Sequence, residues 1–192
     1  LQGWFSDTGS AHSTPIVSAA SAGTQVPVWV LGSTVNGASI AGQLGLPFSL
    51  ASHFAPDQID QALEVYREAF TTEAPTAQID EPYVMAGINV MVADTDEEAE
   101  REFTVIEQMF LDIQQGQSRK LQPPVDPQTL MGQDARNRSM LRIKAVGSPQ
   151  TAKRKMEEFV ERTGVDELIT VTYAYDPAVR ERSLRLLADA WF

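Results

Sequence analysis

VPVWVLGSTVNGASIAGQLGLPFSLASHFAPDQIDQALEVYREAF, residues 26–70, decides the fold. An apolar run, Val28-Trp29-Val30-Leu31, ends at Gly32-Ser33-Thr34. Small residues follow, and a second apolar run, Phe48-Ser49-Leu50-Ala51, ends at Ser52-His53-Phe54. An amphipathic segment closes the stretch. The pattern predicts strand, helix, strand, helix. The first strand is predicted over 26–31, with Pro27 near its start where a missing N–H is tolerated. Continuous rather than alternating apolarity predicts parallel strands covered on both faces. Ala38, Ala41, Gly42 and Gly45 recur at helical spacing. That face of small residues lets the first helix lie close to a neighbour, and Gly45 suits its C-terminus. Pro47 to Ser52 is the second strand. Pro56-Asp57 opens the next helix, with Ile59, Ala62, Leu63, Tyr66 and Phe70 as its apolar stripe.

Toward the N-terminus, residues 1–25 are rich in Ser, Thr, Ala and Gly. They read as an irregular lead-in connection with a short helical piece near Trp4-Phe5. Residues 26–192 read as four β/α units. Toward the C-terminus, Tyr83 to Ala93 is a third strand, and Thr95 begins a capping box with Glu98. The helix that follows is expected to bury Ala99, Phe103, Ile106, Phe110 and Ile113. A proline-containing excursion over 116–132 and a short helix over 133–143 come next. Ser148-Pro149 is expected to start a helix as N-cap and first residue. That helix turns Ala152, Met156, Phe159 and Val160 inward and ends at Gly164. Asp166 to Tyr173 is the fourth strand. Asp176-Pro177 starts the last helix, with Ser183, Leu186, Leu187 and Ala190 on one face. Four parallel strands, each followed by a helix, make an α/β fold. Right-handed crossovers turn it into half of a TIM (β/α)8 barrel; an open doubly wound sheet is the alternative.

Composition narrows the chemistry. The 192 residues contain no cysteine and two histidines, His12 and His53. Thiolate chemistry and cysteine-ligated metals are therefore excluded, and no metal site is expected. The net charge of −11 argues against a nucleic-acid partner. No apolar run reaches the ~18–20 residues of a membrane span. Between Leu1 and Pro56 the sole charged side chain is Asp7. The chain opens on Leu rather than Met and lacks a basic leader-like start, so a processed or trimmed product and a cytoplasmic location are expected.

In parallel α/β proteins ligands bind where strands hand over to helices. Gly32, Ser33 and Thr34 stand at one such point. Backbone N–H groups at a helix start, with two hydroxyls, suit a phosphate; an ordinary capped turn is the alternative. Ser52, His53 and Phe54 stand at the next strand's edge. There His53 is a general base, a hydrogen-bond partner of a ligand or a structural histidine. Asp94, Asp96, Glu97 and Glu98 suggest a cation site or, more simply, complement a helix dipole. Tyr173, Tyr175 and Asp176 close the fourth strand, with Asp176 as the N-cap before Pro177.

Three blocks carry a resemblance. Residues 26–56 (VPVWVLGSTVNGASIAGQLGLPFSLASHFAP), 82–103 (PYVMAGINVMVADTDEEAEREF) and 146–176 (VGSPQTAKRKMEEFVERTGVDELITVTYAYD) resemble the bacterial luciferase-like flavin-dependent monooxygenases, in the family's order. The resemblance implies a TIM barrel and FMN, received in reduced form from a flavin reductase. It implies O2 and an aldehyde or similar small organic molecule as substrates. Gly32, Ser33 and Thr34 match the family segment that helps hold the FMN phosphate, and Ser52, His53 and Phe54 match the pocket edge. No catalytic acid–base residue is implied. Family members are longer, and the blocks fall in their C-terminal half. Strands one to four of the barrel are thus expected to be missing, and residues 1–25 to be the tail of a mid-barrel connection. A half barrel leaves two strand edges unpaired, so self-association into a homo-oligomer is expected. Two alternatives to the flavin monooxygenase remain. One is a non-catalytic, self-associating fragment, and the other a deazaflavin-dependent dehydrogenase of the same superfamily.

Overall fold

The computed structural model describes residues 1–11, 14–130 and 139–192. The chain forms two compact units, Leu1–Leu50 with Asp60–Val84, and Ala51–Ile59 with Met85–Phe192.

The first unit begins with a one-turn helix, α1 (Gln2–Phe5), where a helical piece was expected. The rest of the lead-in is irregular but closed on itself. The Ser6 carbonyl accepts from the amides of Gly9 and Gly23, both at 2.9 Å, and the Gln25 amide donates to Phe5 at 3.0 Å. The first strand, β1 (Val30–Gly32), starts four residues later than the apolar run predicts. Pro27 has no N–H to give. The backbone N–H and C=O of Val28 are both taken by the side-chain amide of Gln78, at 3.2 and 3.0 Å. A side chain fifty residues away has replaced a strand partner.

Helix α2 (Val35–Gln43) buries the small face that the sequence predicts, Ala38, Ala41 and Gly42. A Cβ on Gly42 would come within 2.8 Å of the Tyr66 carbonyl, so the helix lies as close to its neighbour as backbone allows. Strand β2 (Phe48–Leu50) pairs parallel with β1, Val30 opposite Phe48. Pro56–Gln58 is a 3₁₀ turn that leads into α3 (Ile59–Ala69). Ile59, Ala62, Leu63 and Tyr66 are buried as the stripe predicts.

The second unit is built on β3 (Val84–Val92), nearly all of it buried. Burial on both faces explains its unbroken apolar run. Helix α4 (Asp96–Gln114) starts at Thr95, whose hydroxyl accepts from the Glu98 amide at 3.2 Å. Ala99, Phe103, Ile106 and Phe110 join Met91, Leu141 and Val146 in the core. Ile113 is a correction: it is 60% exposed, while Leu111 and Asp112 are buried in its place. Asp112 sits there because Arg119 grips both its oxygens, at 2.5 and 2.6 Å, which offsets the cost of burying a carboxylate.

A strand that the sequence reading did not anticipate follows. β4 (Lys144–Gly147) pairs parallel with β3, Asn89 opposite Lys144. The helix expected over 133–143 falls partly outside the described residues; Ser139 and Met140 are helical, and Leu141 to Ile143 is turn and irregular chain. Helix α5 (Pro149–Thr163) has Ser148 in the N-cap place, but the serine side chain does not cap it. Its hydroxyl contacts Thr151 instead, at 3.1 Å. The Asp96 carboxylate accepts from the Ser148 amide at 2.6 Å and from the Thr151 hydroxyl at 3.1 Å. These hydrogen bonds, the Ser148 amide first, hold the Asp96 carboxyl below the usual carboxylate range. Two members of the acidic run have partners of their own. Asp96 joins α4 to the start of α5, and Asp94 pairs with Arg182.

Gly164 ends α5 in the left-handed region, as expected. Strand β5 (Glu167–Val171) pairs parallel with β3, Met85 opposite Glu167. The last helix, α6 (Pro177–Trp191), is capped by Asp176, whose carboxylate accepts from the Ala178 amide at 2.8 Å. Its buried residues are Ser183 and Leu187, from the expected face. Ser183 is 1% exposed and accepts the Val92 amide at 2.8 Å. Ser183→Ala strands that buried donor at the end of β3. The expected loss is about 1–3 kcal/mol, read as a lower urea midpoint. A midpoint equal to that of the unaltered chain would show that the bond contributes nothing.

β1 with β2, β3 with β4 and β3 with β5 all pair parallel, and helices alternate with strands, which is the α/β class the sequence predicts. No helix among the described residues is long and apolar enough to cross a membrane.

Candidate functional site

In the first unit, Gly32, Ser33 and Thr34 form the turn from β1 into α2. Thr34 is the N-cap, and its hydroxyl accepts from the Gly37 amide at 3.5 Å. That takes one of the donors a helix start leaves over. The amides of Val35 and Asn36 stand in the same first turn, where a helix start leaves backbone donors over. Gly32 and Gly37 face each other: a Cβ on Gly32 would lie 3.3 Å from the Gly37 Cα and 3.5 Å from the Phe48 ring. The bare backbone of Gly32 is what lets the turn close this tightly. Ser33 is half-buried and Thr34 exposed. The turn is a capped helix start whose remaining amides fit an anionic oxygen cluster. The sequence reading missed Gly37, though a glycine in a helix's first turn is a signal of close approach.

In the second unit, Ser52 is fully buried and its hydroxyl donates to the Gly87 carbonyl. Its role in the structure is to pin the turn to β3. His53 is half-buried. Its ring lies on Gly87, with Nδ1 buried and without a hydrogen-bond partner. Phe54 is 56% exposed and stands beside the imidazole, ring centres 4.3 Å apart. The turn thus presents a histidine and an aromatic side chain. The residue that sequence reasoning missed is Gly87. A glycine inside the run VMAGINVMV marks a close backbone approach, but the partner is not legible from the run itself.

Burial pulls the His53 pKa below its ordinary 6.5, and the nearby Gly87 backbone opposes this without a well-formed bond to Nδ1. The imidazole is therefore neutral at pH 7. Unfolded, it takes up its proton near 6.5; folded, it does so at lower pH. Below 6.5 the unfolded chain binds the extra proton, so stability there rises with pH. The His53 contribution is complete above 6.5 and is lost as the pH falls through the folded value. His53→Gln is expected to flatten the fall in urea midpoint below pH 6.5, with no change above it. An equally steep fall in the variant would assign the dependence to other groups.

Tyr173 and Tyr175, after β5, are 37% and 53% exposed. Thr172, just before them, is buried with an unpartnered hydroxyl. His12 lies outside the described residues. Among the described residues, no group of three His, Cys, Asp or Glu side chains is placed to hold a metal ion.

The model of the luciferase-like monooxygenase family matches residues 1–167. The Bacillus subtilis (strain 168) protein YvbT is 40% identical over 172 residues, 88% of this chain and 50% of YvbT. A luciferase-like monooxygenase of Escherichia coli (strain K12) is 34% identical over 170 residues, 87% of this chain and 50% of that protein. The crystal structure of apo-MsnO8 superposes with a TM-score of 0.74 at 27% identity, covering 93% of this chain and 55% of MsnO8. The chain spans about half the length of the curated relatives it matches.

Proposed function

We propose, from the premise that the chain belongs to the luciferase-like monooxygenase family, that it carries flavin- and substrate-contacting parts of an FMN-dependent monooxygenase. Reduced FMN, when bound, supplies the oxygen chemistry. The chain's own residues bind and orient. The turn Gly32-Ser33-Thr34, with the first amides of α2, holds the FMN phosphate. Ser52 fixes the second turn, neutral His53 offers a hydrogen bond, and Phe54 offers an apolar face to an aldehyde or similar small organic substrate. No residue is assigned as a catalytic acid or base. The observation that carries the reading is the Gly32–Gly37 approach. It brings bare backbone and helix-start amides together, an arrangement that suits a phosphate.

The partners in this reading are O2, a flavin reductase that delivers reduced FMN, and further copies of the same chain, in a cytoplasmic setting. Light scattering at micromolar concentration tests self-association; a monomeric mass would remove it from the reading.

The functional test is titration of the purified chain with FMN and with reduced FMN, followed by flavin fluorescence or absorbance. Saturable binding is the expected result. Absence of binding would identify the chain as a non-catalytic piece. A deazaflavin titrated in parallel separates FMN use from a deazaflavin-dependent dehydrogenase. Ser33→Ala removes a hydroxyl donor to a charged group, which is worth about tenfold in affinity. An unchanged affinity would take Ser33 out of the phosphate site.

A further inference from the structure

Gly87 lies near the middle of β3, in a strand whose side chains are almost all buried. A Cβ placed on it would meet one residue first. The nearest atoms are His53 Nδ1 at 2.3 Å, Cε1 at 2.7 Å and Cγ at 3.6 Å. The imidazole therefore occupies the space where any other residue at position 87 would carry its side chain. The adjoining residue acts on the same point from the backbone side, because Ser52 donates to the Gly87 carbonyl. Phe54 stacks at 40° on the other side of the sequence pair. Three consecutive residues, 52–54, are thus organised around one glycine 33 to 35 positions later.

The geometry points to Gly87 as the positioning residue for His53: its bare Cα is the seat that turns Nδ1 inward and leaves Nε2 as the nitrogen available to a hydrogen-bonding oxygen of the organic substrate. This rests on the reading of Ser52, His53 and Phe54 as a pocket edge. An unpartnered ring nitrogen facing the protein costs stability. A histidine that served packing alone gains nothing from that arrangement over a leucine or phenylalanine. A histidine that must present its far nitrogen in one orientation does.

The test uses the full chain and the imidazole NMR signals, of which there are two sets, from His12 and His53. His53→Ala assigns them by deletion. In Gly87→Ala the ring is expected to leave its seat. The His53 carbon-bound proton signals shift, and its titration midpoint moves up toward the ordinary 6.5, while His12 is unaffected. A purely structural glycine would alter the melting transition without moving the His53 midpoint selectively. His53 signals and midpoint unchanged in Gly87→Ala would overturn the proposal. Should Gly87→Ala fail to fold, Gly87→Ala combined with His53→Ala decides the matter. Removal of the ring makes room for the Cβ, so the double variant is expected to fold. Its failure would show that the methyl clashes elsewhere and that Gly87 does not serve His53. Failure of the flavin reading shows separately, as absence of FMN binding by the unaltered chain.

Discussion

Gly45→Ala is expected to cost the first unit about 3–5 kcal/mol, enough to leave much of it unfolded under mild conditions. Two effects add. Gly45 has φ +63°, a left-handed conformation that costs an L side chain free energy. The new methyl would also stand 2.5 Å from the Thr71 carbonyl and 2.6 Å from the Ala77 Cβ. Neither neighbour is the end of a flexible side chain, and both are tied locally. The Thr71 amide donates to Gly42 at 3.2 Å, the Gln78 amide to Gly45 at 3.0 Å. Gly116→Ala is the internal control. Its φ is +69°, and a Cβ there meets nothing within 4 Å, so the conformational cost stands alone at about 1 kcal/mol. Urea denaturation of both variants measures the difference. Equal losses would show that the crowding at Gly45 is relieved at no cost, contrary to the close packing described above.

Tyr66→Ala is the second large effect, at about 3–5 kcal/mol. Tyr66 is fully buried, and its ring packs on Phe48 at 5.5 Å and on Phe70 at 6.1 Å. Its hydroxyl does more than fill space. It donates to the Leu46 carbonyl at 3.0 Å and accepts from the Tyr83 amide at 3.1 Å. One side chain on α3 thus closes the end of the α2–β2 connection and the approach to β3 within the same unit. Tyr66→Phe separates the two contributions. It keeps the ring and removes the hydroxyl, for an expected loss of about 1–3 kcal/mol. If Phe and Ala cost the same, the hydroxyl accounts for the whole effect and the ring for none. If Phe costs nothing, the two hydrogen bonds are replaced by others.

The local rules held where the interacting groups are neighbours in the chain. Thr34, Thr95 and Asp176 cap their helices through amides two or three residues on. Gly164 closes α5 because a left-handed residue is needed there. The small face of α2 and the stripe of α3 were legible for the same reason, since helical periodicity is a local property. Ser148 shows the limit. Its type and its place before Pro149 both announce a cap, yet the nearest strong acceptor is the Asp96 carboxylate, 52 residues away. The same carboxylate accepts from the Thr151 hydroxyl, which the Ser148 hydroxyl contacts in turn, so the serine side chain is engaged with Thr151 rather than with a helix amide. The delayed start of β1 has a similar origin in Gln78, and β4, four residues long, is too short to show a period at all.

For the candidate site the division is sharper. The sequence alone determined that turns follow both apolar runs, that Gly32, Ser33 and Thr34 stand at a helix start, and that His53 and Phe54 stand at a strand edge. Those statements need no more than the order of residues along the chain. Tertiary structure alone decided that the Thr34 hydroxyl is already engaged by its own helix, that the Ser52 hydroxyl is buried against the Gly87 carbonyl, and that the His53 ring lies on Gly87. Each of these depends on which atom occupies the space beside the side chain. For Ser52 and His53 that atom belongs to a residue more than thirty positions away. Periodicity in the chain carries no record of such a neighbour, because long-range contacts are set only when strands pair and bring distant residues into register.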